Sequence, residues 1–573
     1  MKKRWTAVLA LLLSALLLCG CAGADAALDT LFGQAGERDA ARELCRFEDM
    51  PYERPDSEAF AALAEEVVAA LESGAGYRKV TAMLDELYAL YDSADTMLTI
   101  ADIRNCQDLT DEYYAAEYAA CRSAALALDR SMEQVYLACG ASKHAERLAR
   151  DYFWDGFLDE YGPDAEETMT DEYMALAERE SDLIARYRAL TAEPTVEVRG
   201  RELPLDEAFD SARNEWEYYA ILDGFYEKYT PLLGALYLEL ISVRQEQAAL
   251  LGYDSVAEML FDLGFERDFT VAEGRAFVES VKERLVPLAA RFSNSGLRES
   301  LLERYVDEEE LYDALEAVAS GLGGEVKEAH DFMRRYALCD IAMSEKKPDM
   351  SFQAYLSDYE APFLFAAPYG DPSDLVTVTH EFGHYVESYI SFDAYRSVDL
   401  AEVFSQTMQY LSLDPLAGVL GKKGAAELQT LNLLDAIDTY VQQCSFAEFE
   451  DRVYAMEEPT LEKINALSLE LAKEYGYYDG FSESYYALSW IDIPHFFEQP
   501  FYVISYPVSL SVALEIYERE LQEPGAGLKL YLMLAESEEP GVIAAAEAAG
   551  LRDPLSDARV QEIAAFLEKQ LAA

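Results

Sequence analysis

His380-Glu381-Phe382-Gly383-His384 sets two imidazoles four residues apart, with a carboxylate beside the first. On a helix such a pair lies one turn apart on one face, so both rings can reach one metal ion. Zinc suits these donors, since neutral imidazoles bind it at about 2.0–2.1 Å and its bound water is acidified towards a pKa of about 7. Glu381 then stands where it can take a proton from that water and return it to a leaving amine. With five histidines in 573 residues, an H-E-x-x-H string is expected by chance only about 0.005 times, which makes the match specific. A third ligand is still required, leaving a fourth position for water on one zinc per chain. His144, His330 and His495 lie in other contexts, whereas Glu402 heads a second helical segment, Glu402-Val403-Phe404-Ser405-Gln406.

The elements that must carry these groups are readable from capping and periodicity. Asp371-Pro372, with Asp374 shortly after, predicts a helix that begins here and runs through the motif. Leu375, Val378, Phe382, Val386 and Tyr389 fall on one stripe of that helix, with Thr377, His380, His384, Glu387 and Ser391 on the other side. The histidines are therefore expected away from the core face. Just upstream, Ser351 to Phe365 (SFQAYLSDYEAPFLF) and the prolines between Lys347 and Pro372 interrupt the helical pattern.

At this point the chain resembles the oligoendopeptidase F and thimet-oligopeptidase family of zinc metallopeptidases. That family carries H-E-x-G-H on one helix and Glu-x-P-S-Q on the next, so the resemblance implies Glu402 as the third zinc ligand. CSFAEFEDRVY (Cys444 to Tyr454) is similar to the family's FAEFE segment, and Ile493-Pro494-His495-Phe496, followed by Pro500 to Tyr506, is similar to its IPHF and FYVY stretch. By that resemblance His495, Tyr502 and Tyr506 face the zinc and stabilise the oxyanion. Donors aimed at a developing oxyanion are worth about 3–4 kcal/mol each. Among 39 tyrosines, packing is the competing role for either one. Tyr502 and Tyr506, four apart, are expected to share one helix face. The chain departs from the family where Glu387 stands in place of a frequent His, where Val403-Phe404 replaces the pair ending in Pro, and in a short gap from His380 to Glu402. The fold implied is mainly α, with two helical lobes flanking a deep substrate channel and a small antiparallel sheet near the zinc helix. Ser351 to Phe365 resembles the extended stretch before that helix, which can hold a peptide by backbone hydrogen bonds. The implied substrates are short unstructured peptides, cut internally.

The rest of the chain sets the surroundings. Residues 1–20 read as a signal peptide, with Lys2, Lys3 and Arg4 ahead of an apolar run too short to span a bilayer. Leu18-Cys19-Gly20-Cys21 resembles a bacterial lipoprotein box, which implies a lipid on Cys21 and an extracytoplasmic, membrane-anchored protein; simple cleavage near Ala22 or Ala24 is the alternative. Residues 21–45 are expected to be a tether, 46–190 an N-terminal helical lobe, 191–205 an extended link around Pro194 and Gly200, and 206–573 the catalytic domain. Asp56 and Ser57 predict a helix start and Gly74 its end. The net charge of −62 repels phosphates, so nucleic acid is an unlikely partner, while 51% hydrophobic residues argue for a folded body. Cys45, Cys106, Cys121, Cys139, Cys339 and Cys444 leave disulfide pairing open, with buried thiols as the simpler reading. Glu474 to Trp490, rich in Tyr and containing Gly476 and Gly480, reads equally as a mobile substrate wall or a wet aromatic surface. Two other classes compete with an endopeptidase. One is a lipid-anchored peptide-binding protein without catalysis, in which Glu381 would have no purpose; the other is a peptidase trimming terminal residues.

Overall fold

The computed structural model describes residues 42–154, 156–293, 304–392, 394, 396–478, 480 and 482–572. The signal peptide, Cys21 and most of the tether lie outside them. Among the described residues no helix is long and apolar enough to cross a membrane.

Helices dominate from the start. α1 (Ser57–Glu72) begins where Asp56 accepts a hydrogen bond from the Ala59 N–H at 2.9 Å, and buries Phe60, Ala64, Val67 and Leu71 at helical spacing. It packs with α2 (Tyr77–Gln107) and α3 (Glu112–Ala141). Tyr136 of α3 gathers Phe153, Trp154, Phe157 and Tyr161 at edge-to-face or tilted angles with centroids 5.1–6.2 Å apart, an aromatic core for this part of the chain. After α4 (Asp171–Thr191) the expected extended link is a hairpin, β1 (Thr195–Val198) antiparallel to β2 (Arg201–Pro204). Its two-residue turn places both Arg199 and Gly200 at positive φ, which suits the twist of a tight hairpin. α5 (Glu215–Leu250) then packs back on α4.

The second part of the chain follows. α6 (Val271–Ser293), α7 (Glu308–Leu322) and α8 (Gly324–Tyr336) lead to a three-stranded sheet. β3 (Cys339–Asp340), β4 (Phe352–Leu356) and β5 (Ala361–Phe365) are ordered β3-β5-β4, with β4 antiparallel to β5 as expected and β3 a short parallel addition. β5 is buried throughout and rests on α9 (Ser373–Ser391), the helix that carries the histidines. α10 (Val398–Leu411), α11 (Leu413–Tyr454, broken at Gly421), α12 (Pro494–Glu498) and α13 (Ser505–Gln522) complete the surroundings of the site. All six described cysteines are free thiols, and four of them are buried.

Candidate metal centre

α9 starts at Ser373, one residue after Pro372, with Asp371 accepting from the Ser373 N–H at 2.7 Å. Asp374 turns back to accept from the N–H groups of Tyr369, Gly370 and Asp371, which ties the entry loop to the first turn. The apolar stripe is as expected: Leu375, Val378, Phe382 and Val386 are fully buried. The opposite face differs from the expectation, because Glu381, His384 and Glu387 are buried as well. α10 covers that face. Gly383 makes the approach possible, since a Cβ there would lie 2.6 Å from both the Phe404 carbonyl oxygen and the Ser405 Cα. The Tyr531 hydroxyl donates to the Gly383 carbonyl oxygen at 2.6 Å, which holds the same turn from another side.

This close crossing brings His380, His384 and Glu402 together. Glu402 Oε2 is 3.4 Å from His380 Nε2 and 3.7 Å from His384 Nε2. Ligands about 2.0–2.2 Å from a tetrahedral ion sit roughly 3.3–3.6 Å from one another, so two imidazoles and a carboxylate at these separations fit zinc. Burial pulls the His384 ring down to about 4, against the charge of Glu402, leaving its lone pair free. His380 goes the other way: burial acts to lower it, but the hydrogen bond and charge of Glu402 raise it.

Glu402 is held from behind. Ser405 Oγ donates to its Oε2 at 3.1 Å, and the Tyr502 hydroxyl donates to its Oε1 at 2.8 Å. Gln406 Nε2 donates to the Tyr506 carbonyl at 3.1 Å. The Ser and Gln of EVFSQ thus fix Glu402 and the neighbouring aromatic turn. Glu381 lies one position along from His380, 5% exposed, with Oε2 making no hydrogen bond among the described residues. Burial, opposed by His380 and aided by Glu402, pushes its carboxyl up to about 7.

His495, Tyr502 and Tyr506 also converge, with ring centroids 5.4–6.0 Å apart. Tyr506 and His495 meet through the hydroxyl and Nε2 at 3.4 Å. The expected shared helix face of Tyr502 and Tyr506 is corrected by the structure: α13 begins only at Ser505, and Tyr502 sits in the turn before it. Pro500 cannot extend α12, and Phe501 at φ 65° reverses the chain. Tyr502, 1% exposed, is consequently turned onto Glu402, while Tyr506 remains partly exposed. Glu387 does not join the cluster; its Oε1 lies 3.5 Å from Arg396 Nε. His144 is also elsewhere, bonding the Ala75 carbonyl at 2.8 Å.

Further groups position these side chains, and two of them, Arg244 and Arg267, carry no sequence signal. Arg267 and Asp399, both fully buried, pair at 3.0 Å, and Arg267 also donates to Ser505 Oγ at 2.8 Å, joining the first turns of α10 and α13. Arg244 donates to the carbonyls of Phe496 (3.2 Å) and Phe497 (2.5 Å) and to Glu180 (2.6 Å), closing the short helix that presents His495. Glu450, the last residue of FAEFE, accepts the Phe501 N–H at 3.0 Å and steadies the reversed turn. A hollow of about 370 Å³ opens beside His380 and Glu381, lined also by Ser351, Tyr369, Thr377 and Gln409.

The hydroxyl of Tyr502 yields a prediction. Tyr502→Phe removes the bond to Glu402 and keeps the ring, so if Glu402 is a zinc ligand, zinc affinity is expected to fall by about 10-fold or more. Competition with a chelator of known affinity measures this, and an unchanged affinity would make the bond irrelevant to the ligand.

The description "Peptidase M3 N-terminal domain" matches residues 47–154, and "Peptidase family M3" matches residues 326–557. The oligopeptidase PepF of Bacillus subtilis (strain 168) is 25% identical over 335 residues, 52% of this chain and 46% of that protein. An oligoendopeptidase F homolog of Borreliella burgdorferi (strain ATCC 35210 / DSM 4680 / CIP 102532 / B31) is 29% identical over 158 residues, 25% of this chain and 26% of that protein. The chain thus spans less than half the length of either curated relative it matches. The solved structure of PZ peptidase A with inhibitor 2 superposes with a TM-score of 0.79 at 20% identity, covering 92% of this chain and 99% of that one, which establishes the shared fold. With both parts of one family matched in order along a chain of that fold, the protein belongs to peptidase family M3, in its oligoendopeptidase F-like branch.

Proposed function

We propose that the chain is a zinc-dependent oligopeptidase that hydrolyses internal bonds of short unstructured peptides. The observation that carries this reading is the convergence of His380, His384 and Glu402 within ligand distance, with the buried Glu381 carboxylate beside them, its Oε2 making no hydrogen bond among the described residues. Zinc held by those three residues would supply Lewis acidity to a water and to the scissile carbonyl. Glu381, poised near neutrality by burial, takes the proton of the attacking water and passes it to the leaving amine. The Tyr506 hydroxyl and the His495 ring donate to the carbonyl oxygen as it gains charge; burial lowers the His495 pKa despite Glu498 and Glu402, favouring the neutral ring. Tyr502 and Ser405 orient Glu402. β4, at the edge of its sheet order, offers backbone groups to an extended peptide, and the hollow beside Glu381 receives one of its side chains. A lipid on Cys21 holding this activity at an extracytoplasmic membrane surface is part of the same proposal, supported by the lipoprotein-like box.

The experiment is digestion of peptides blocked at both ends, with products separated by mass. Internal cuts are expected. Cleavage confined to peptides with a free terminus would point instead to terminal trimming, and absence of cleavage to a binding protein.

A further inference from the structure

Away from this site, a second set of three ligating side chains converges among the described residues: Glu316 on α7, with His330 and Asp331 on α8. His330 Nδ1 is 3.4 Å from Glu316 Oε2 and 3.6 Å from Asp331 Oδ1. These separations nearly repeat the 3.4 and 3.7 Å of the catalytic cluster and the edge of a tetrahedral zinc site. The His330 side chain is 3% exposed, and its Nδ1 is buried and makes no hydrogen bond among the described residues, although two carboxylate oxygens face it. The other groups are arranged to leave that nitrogen facing oxygen. Glu316 Oε1 is engaged by Ser320 Oγ at 2.8 Å and approached by Lys327 Nζ at 3.5 Å, while Oε2 points to His330. Lys327 also pairs with Asp331 Oδ1, so an ammonium already lies against both carboxylates.

We propose that Glu316, His330 and Asp331 form a second, non-catalytic zinc site, in which the bound cation displaces Lys327. One imidazole and two carboxylates are borderline-to-hard donors suited to zinc, and water completes the coordination. Lys327, on a partly exposed and flexible stem, moves into solvent without breaking the core. The site lies behind the catalytic helix: the His330 ring meets Phe382 edge-on, with centroids 6.2 Å apart, and Phe382 is on the buried stripe of α9. Zinc there ties α7 to α8 and braces the back of α9, so its occupancy stabilises the fold.

Equilibrium dialysis of the full chain against zinc, with bound metal counted, tests this. Two equivalents are expected, the second weaker than the first. Glu316→Gln and His330→Gln should each weaken the second equivalent at least tenfold and leave the first unchanged, while Lys327→Met should tighten it. Thermal melting should rise with the second equivalent in the wild type and not in Glu316→Gln. Because the Glu316 side chain is half exposed, that variant keeps the test decisive if the His330 variant fails to fold. Uptake that stops at one equivalent overturns the proposal. So does a second equivalent indifferent to Glu316→Gln and Lys327→Met, which would be diffuse binding to an acidic surface. The catalytic equivalent is read separately, as the one these variants leave in place.

Discussion

Glu381→Gln is expected to keep the metal and lose about 10²- to 10⁴-fold in kcat/KM, because an amide cannot accept a proton from the attacking water. The substitution is nearly isosteric. Glu381 Oε2 has no hydrogen-bond partner to forfeit among the described residues, and the carboxylate is not one of the three convergent groups, so neither folding nor metal binding is expected to depend on its charge. Steady-state kinetics on a quenched fluorescent peptide, alongside metal analysis of the same preparation, checks the expectation. Turnover within tenfold of wild type, with zinc retained, would remove Glu381 from the mechanism.

Tyr506→Phe is expected to lower kcat and kcat/KM together by roughly 100-fold, with KM and zinc content nearly unchanged. A hydroxyl that donates only to the developing oxyanion contributes to the transition state and not to substrate binding. Tyr506 is placed for this. It is partly exposed, its hydroxyl lies 3.4 Å from His495 Nε2, and its backbone is held by Gln406. Tyr502, by contrast, commits its hydroxyl to Glu402, so its loss should be felt first in metal affinity. The two phenylalanine variants therefore separate by phenotype. A Tyr506→Phe enzyme within about twofold of wild type would return this residue to the packing background.

The helix carrying His380 and His384 was legible because its signals are local: Asp371-Pro372 marks its start, the apolar stripe its buried face, and H-E-x-x-H its candidate chemistry. α1 was legible for the same reason, from Asp56 and its periodicity. What covers the polar face of α9 was not, since burial of His384 and Glu387 depends on a helix that arrives later in the chain. A signal for it existed in Gly383, the one residue type that lets two backbones come this close. The four-residue spacing of Tyr502 and Tyr506 is not a helical one, because the backbone reverses at Phe501 and the helix begins only at Ser505. Arg244 and Arg267 left no trace in the sequence, because a single arginine looks alike on a wet surface and in a buried pair; only their partners at Glu180, Asp399 and Ser505 distinguish them.

If one zinc at His380, His384 and Glu402 makes this chain a peptidase, turnover must follow the occupancy of that site. Titrating zinc back into the chelated protein, while following hydrolysis of a doubly blocked peptide, tests it most directly. No turnover is expected without metal, followed by a linear recovery and saturation at one equivalent of zinc per chain. Hydrolysis that survives complete removal of zinc, or that does not return when the first equivalent is restored, would contradict it.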